Sequence, residues 1–238
     1  MDAFVDGART DAGKGSPVAM TMSKASACRL LDLALLGVTA PIWVPLVAGV
    51  AACAAVSSGR PIFFQQQRLG TDGRPFALLK FRTMTAGDNP LIPDPARITP
   101  IGKVLRRWSL DELPQLLNVA RGEMSLVGPR PMLPSQAEHL SVHQRRRFAT
   151  RPGLTGLAQI SGRNALPWSK RVELDLVWTA DPSLRRYVSI LSRTARVVLS
   201  GDGVEGHTPN DPLQNPGPAE LDLRERMRNA SEQHRRAA

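Results

Sequence analysis

Leu33–Val56, LALLGVTAPIWVPLVAGVAACAAV, carries no charged side chain. As a helix rising about 1.5 Å per residue, this run is long enough to cross a hydrocarbon core of about 30 Å. Pro41 and Pro45 lie inside it, with Gly37 and Gly49 on either side. A proline removes a backbone donor and crowds the preceding turn, so a bend near Pro45 is expected. Lys24 and Arg29 precede the run, and Arg60 and Arg68 follow it. Basic residues at both ends draw both ends to the cytoplasmic side. A broken, re-entrant helix that enters and leaves by one face satisfies length and charge together. A straight crossing satisfies the length alone, and an Ala/Val-rich core helix is a third reading.

Working outward, residues 1–23 are rich in Gly, Ala, Asp and Ser without apolar periodicity and read as a flexible arm preceding a membrane helix over 24–58. Residues 59–206 hold the mixed patterns of a folded unit, and 207–238 read as an exposed tail punctuated by Pro209, Pro212, Pro216 and Pro218. After the apolar run, Pro61–Gly70 and Pro75–Met84 are strand-like. The turn signal Thr71-Asp72-Gly73-Arg74 between them predicts a hairpin. Gly87–Pro95 reads as a loop. Short helices are expected over Ile101–Trp108 and Leu113–Ala120, the second ending near Gly122. An amphipathic helix is expected over Ser135–Phe148, a short strand over Leu157–Ile160, and further helices over Trp168–Trp178 and Ser183–Leu199. The fold class is α/β in the α+β sense, helix-rich, with interfacial amphipathic helices beside the membrane segment.

The formal net charge is +10, from 31 Lys and Arg against 21 Asp and Glu. Such a chain favours nucleic acid, an anionic membrane face or phosphorylated substrates. One Tyr and six Phe leave little material for stacking on RNA bases. Cys28 and Cys53 belong to no metal or redox spacing and read as free thiols in an apolar setting, and no glycine-rich nucleotide fingerprint occurs.

Ser109-Leu110-Asp111-Glu112-Leu113-Pro114-Gln115 places two adjacent carboxylates at an expected helix start. Ser109 and Glu112 have capping-box spacing, and Asp111 has the alternative placement for a simple N-cap, with Pro114 tolerated in the first turn. The same placement suits a nucleophile: a carboxylate at a helix N-terminus stays ionised. Its neighbour Glu112 can hold a divalent ion, with Asp111, through oxygen contacts. Attack by a carboxylate on a phosphate ester brings like charges together and needs cations or a metal. Lys80, Arg82, Arg106, Arg107, Arg130, Arg151 and Arg163 are the candidates, with Arg130 held between Pro129 and Pro131. Gly153, Gly156 and Gly162 read as turn positions. Glu173 reads as a salt-bridge partner of Lys170 or Arg196.

The ordered motifs resemble the monotopic polyprenyl-phosphate phosphoglycosyltransferases, the bacterial sugar transferase family, over roughly residues 26–206. They are Arg29-x-x-Asp32, Lys80-Phe81-Arg82-Thr83-Met84, Asp111-Glu112-Leu113-Pro114-Gln115 and Ser125-Leu126-Val127-Gly128-Pro129-Arg130-Pro131. Arg151-Pro152-Gly153-Leu154-Thr155-Gly156-Leu157-Ala158-Gln159, Gly162-Arg163-Asn164, Glu173-x-Asp175 and Val197-Val198-Leu199-Ser200-Gly201 follow in order. The resemblance implies a re-entrant helix in the cytoplasmic leaflet of the bacterial inner membrane and a catalytic unit on its cytoplasmic face. It implies transfer of a sugar-1-phosphate from a UDP-sugar to undecaprenyl phosphate with Mg²⁺. By ping-pong chemistry, Asp111 is the nucleophile and Glu112 the metal-associated carboxylate. Lys80, Arg82, Arg106, Arg107, Arg130, Arg151, Arg163 and Asp175 become the expected substrate and phosphate contacts. Such chemistry is the first membrane step of exopolysaccharide, O-antigen or glycoconjugate assembly. Homo-oligomerisation stays open, and no nucleic-acid partner is implied. Two departures stand out: Val44-Pro45 replaces the family's Ser-Pro at the helix break, and Trp178 replaces its usual tyrosine. The rival readings are a non-catalytic scaffold of a glycan-assembly complex and a membrane-anchored basic nucleic-acid-binding protein.

Overall fold

The apolar run folds as one long helix that lies across the rest of the molecule. A computed structural model describes residues 17–85, 97–162 and 165–200. Helix α1, Pro17–Ser58, begins inside the segment read as an arm, with proline at its first position. Residues 1–16, the loop expected over 87–95, Arg163 and the tail from 207 lie outside the described residues. α1 is a single continuous helix with Pro41 and Pro45 inside it. Trp43 Nε1 donates to the Leu36 carbonyl at 3.0 Å.

Strands β1 (Phe63–Leu69) and β2 (Pro75–Phe81) form the expected antiparallel hairpin, Phe63 opposite Phe81 and Phe64 opposite Lys80. Asp72 sits at φ 57°, as an Asp-Gly turn requires. Helix α2 (Pro100–Arg107) is capped by Thr99, whose hydroxyl accepts from Gly102 N at 3.0 Å. Helix α3 (Gln115–Arg121) ends on Gly122 at φ 83°. Strand β3 (Ser125–Val127) pairs in parallel with β4 (Gly153–Thr155), across a connection that holds α4 (Pro134–Glu138) and a 3₁₀ turn over Gln144–Ala149. Helices α5 (Leu157–Ile160), α6 (Trp168–Ala180) and α7 (Leu184–Ser200) follow. The architecture mixes helix and sheet, with two separate two-stranded sheets.

Two expectations are corrected. The helix over 135–148 is broken after α4, because Ser141 and Gln144 bond reciprocally. Ser141 N donates to Gln144 Oε1 at 2.9 Å, and Gln144 N donates to Ser141 Oγ at 3.3 Å, a pattern that starts a new turn. Leu157–Ile160 is helical, and the strand lies just upstream. A four-residue apolar run does not distinguish helix from strand by periodicity. The strand falls where glycine permits backbone contact: a Cβ on Gly153 would stand 2.0 Å from Gly128 N, and one on Gly156 would stand 2.2 Å from Gly128 O.

One stripe of α1 enters three parts of the core. Cys28 packs with Trp178, Tyr187 and Ile190; Leu36 with Leu78, Leu116 and Met124; Val50 and Ala54 with Phe81 and Leu105. Polar contacts secure both ends. Lys24 pairs with Asp181 at 2.8 Å, and Arg29 donates to the Val119 and Ala120 carbonyls at 2.5 and 2.9 Å. Buried Asp32 accepts from Ser125 Oγ, Leu126 N and Tyr187 OH. Near the far end, Ser57 Oγ lies 2.7 Å from Thr99 Oγ1. The opposite face of α1 stays apolar and bare, with Val38 79% and Val56 86% exposed. Ile101, Val104 and Trp108 add exposed apolar surface on and just after α2, beside Lys103 and Arg107. Contiguous apolar surface bordered by cations is suited to a lipid interface.

Candidate active site

Asp111 and Glu112 do not cap a helix. They lie in a 3₁₀ turn, Leu110–Glu112, and α3 starts only at Gln115 after Pro114. Ser109, the residue with capping-box spacing, makes no capping bond and stands at φ 55°. A non-glycine residue in the left-handed region costs about 1 kcal/mol or more, and such strain collects at functional sites. Both cap readings therefore give way to a turn that turns the two carboxylates toward the hairpin.

From β2, Lys80 Nζ reaches Glu112 Oε1 at 2.7 Å. From the Gly-Pro-Arg-Pro loop after β3, Arg130 Nη2 reaches the same oxygen at 2.9 Å. Burial would push the Glu112 carboxyl up, but Arg130 and Lys80 outweigh it and hold the group far below its usual range. Asp111 has the opposite balance. Burial pushes its carboxyl up to about 6, Lys80 pulls it down, Glu112 adds to the rise, and Arg106 and Arg130 pull it down further. Adjacent carboxylates driven apart in this way take different roles: Glu112 is a fixed anion that organises cations, and Asp111 is a carboxylate without a tight ion pair, available as a nucleophile near neutral pH.

The structure gathers Asp111, Glu112, Lys80, Arg106 and Arg130. Arg106 is steadied by Nε donating to Thr83 Oγ1 at 2.8 Å. Other expected contacts are engaged elsewhere. Arg82 donates to the Met84 and Arg60 carbonyls at 2.9 and 3.2 Å. Arg151 donates to Gly122 O at 3.1 Å, at the end of α3 away from the carboxylates. Arg107 is exposed on α2, and Arg163 lies outside the described residues. Asp175 is 3% exposed, with Oδ2 ion-paired to Arg147 and Oδ1 buried without a hydrogen-bond partner among the described residues. Burial raises its carboxyl to about 6 against the pull of Arg147 and of the Arg130 backbone. Arg147 Nη2 bridges Asp175 Oδ2 and the Arg130 carbonyl, the latter at 2.8 Å. The pair thus grips the main chain of the residue whose side chain holds Glu112. Glu173 pairs with Lys170 at 2.9 Å on the surface, as its spacing suggested.

Two residues that matter here were missed from sequence. Arg147 was hidden in the run Arg145-Arg146-Arg147, which carries no signal that its third member turns inward. Arg68 had a signal: the hairpin turn fixes the register, and two-residue alternation then puts Arg68 on the same face as Lys80.

A family model for bacterial sugar transferases matches residues 23–201. The chain belongs to the bacterial sugar transferase family. Among relatives in this family, the uncharacterized sugar transferase EpsL of Bacillus subtilis is 47% identical over 150 residues, 62% of this chain and 74% of the relative. The UDP-glucose:undecaprenyl-phosphate glucose-1-phosphate transferase of Caulobacter vibrioides is 37% identical over 189 residues, 73% of this chain and 70% of that protein. The undecaprenyl-phosphate galactose phosphotransferase of Salmonella typhimurium is 37% identical over 165 residues, 61% of this chain and 35% of its own length. The motifs around Asp111, Arg130 and Gly153 all fall within the family match.

Proposed function

We propose that this sugar transferase moves a sugar-1-phosphate from a UDP-sugar to undecaprenyl phosphate through a phosphosugar carried on Asp111. The observation that carries this reading is the pair of neighbouring carboxylates in opposite states, with Glu112 clamped by Lys80 and Arg130 beside the less tightly held Asp111. Relatives named for glucose-1-phosphate and galactose-phosphate transfer to undecaprenyl phosphate supply the substrate classes.

In the first half-reaction an Asp111 oxygen attacks the phosphorus that bears the sugar, and nucleoside monophosphate leaves. Lys80, Arg106 and Arg130 lower the repulsion between carboxylate and phosphate. Glu112 keeps two of those cations in place. In the second half-reaction the lipid phosphate displaces the phosphosugar and restores Asp111. Among the described residues no group of three acidic, His or Cys side chains could hold a metal. Asp111 and Glu112 are the residues that would hold a Mg²⁺, an oxygen-seeking ion often bound by one or two carboxylates. When bound, it would neutralise charge developing on the diphosphate.

For the membrane, α1 is about 63 Å long by its residue count, yet the folded unit packs against it from Cys28 to Ala54. A helix crossing the bilayer would carry its ends to opposite faces. Packing of one globular unit along both ends, with the bare apolar face outward, supports a helix that dips into the cytoplasmic leaflet of the inner membrane and returns. The test of function is release of UMP by detergent-solubilised protein given Mg²⁺, undecaprenyl phosphate and a panel of UDP-sugars. Release from one donor, lost in Asp111→Ala, supports the reading; equal release by the variant rejects it.

A further inference from the structure

Arg68 stands on β1 on the face of the hairpin that also carries Lys80 and Leu78. These three, with Gln115, Arg130 and Pro131, line a small cleft next to the carboxylate pair. Lys80 and Arg130 serve both places, whereas neither Asp111 nor Glu112 lines the cleft. Arg68 is fixed by Nη1 donating to Pro131 O at 3.3 Å and Nη2 donating to Gln66 Oε1 at 2.6 Å, while its buried Nε has no hydrogen-bond partner. Three cations thus converge beside Glu112, the carboxylate that ion-pairs with two of them. Burial and the nearby Arg130 depress the Arg68 guanidinium to about 10, against the pull of Glu112. Asp111 feels the charges of Lys80 and Arg130, whereas Arg68 feels those of Arg130 and Glu112.

We propose that Arg68, with Lys80 and Arg130, forms the seat of the second phosphate of the donor, the one that departs with the nucleoside. The assignment rests on the reaction proposed above and deepens it. As the Asp111 oxygen bonds to the sugar-bearing phosphorus, the bond from that phosphorus to the bridging oxygen breaks. The electron pair stays on the bridging oxygen, which becomes a terminal oxygen of the nucleoside monophosphate. Negative charge therefore grows on the departing phosphate, which Arg68 seats. A planar guanidinium suits that group, and its stabilisation grows along the reaction coordinate. In the second half-reaction the lipid phosphate enters in line, opposite Asp111, from the side the nucleoside monophosphate left, so Arg68 seats it in turn and serves both halves.

The test separates the two halves. Without lipid, the enzyme should exchange labelled UMP into its UDP-sugar; separately, undecaprenyl phosphate should discharge a preformed phosphosugar-enzyme. Arg68→Gln should slow exchange and discharge at least tenfold each and raise the inhibition constant of UMP by a similar factor. Unaltered exchange and UMP inhibition, or a loss confined to one half, overturns the assignment. If Arg68→Gln melts early, Arg68→Lys decides: a smaller loss in both halves with weaker UMP inhibition supports the proposal, and no loss, or a loss with UMP inhibition unchanged, overturns it. No exchange by the wild-type enzyme overturns the ping-pong reading itself, and this assignment with it.

Discussion

Breaking the Arg147–Asp175 pair should separate stability from activity. Both side chains are almost fully buried, 4% and 3% exposed, and Arg147 also holds the Arg130 carbonyl. Asp175→Asn leaves a buried guanidinium without its anion, which costs about 3–5 kcal/mol. At about 2–4 °C per kcal/mol for a chain of this size, the melting temperature should fall by roughly 6–20 °C. The pair itself is not a large source of stability. The Asp175 carboxyl is raised to about 6, above its unfolded value near 3.9, so its contribution is present below about pH 4 and lost as pH rises through 6. Adding Arg147→Met removes the stranded charge and should recover most of the melting temperature. Activity should not follow. Without Arg147, the Arg130 main chain loses its grip, and a shift of about 1 Å in a catalytic cation costs on the order of 100-fold. Differential scanning fluorimetry and lipid-free UMP release read the two quantities. A double variant with both wild-type melting temperature and wild-type rate refutes the clamp, as does Asp175→Asn with an unchanged melting temperature.

Other outcomes follow from the same site. With the Asp111 carboxyl near 6, lipid-free UMP release should be flat above that pH and fall about tenfold per unit below it; a profile level down to pH 4.5 contradicts this. Because the folded value exceeds the unfolded one, ionised Asp111 lowers stability as pH rises from about 4 to about 6. Asp111→Asn should therefore be inactive yet more stable at pH 7.5, by about 1–2 kcal/mol after allowing for its partial exposure; a lower melting temperature argues against it. Single cysteines at Lys24 and Arg60, in a background lacking Cys28 and Cys53, should both react with an impermeant thiol reagent from the cytoplasmic side. Labelling from opposite sides would establish a crossing helix.

Much of this was legible in the chain. The hairpin followed from one Asp-Gly turn between two apolar runs, and α3 from its stop at Gly122, because both are local signals with a single physical cause. The carboxylate pair was legible as a site, but its backbone was not: capping-box spacing at Ser109 suggested a helix start where a strained 3₁₀ turn occurs. Long-range contacts were least visible. Nothing local says that Asp32 meets Tyr187 from 155 residues away, or that Asp175 pairs with Arg147. In α1 the length and apolar character were legible, whereas its packing along three parts of the core was not.

The central claim is covalent: Asp111 carries the phosphosugar between donor and lipid. Intact-mass and peptide mass spectrometry after incubation with Mg²⁺ and a turned-over UDP-sugar, in the absence of lipid, tests it directly. One phosphosugar should appear on the peptide containing Asp111, be absent from Asp111→Asn, and disappear when undecaprenyl phosphate is added. An adduct that survives Asp111→Asn, or full turnover by an enzyme that never carries one, would contradict the account.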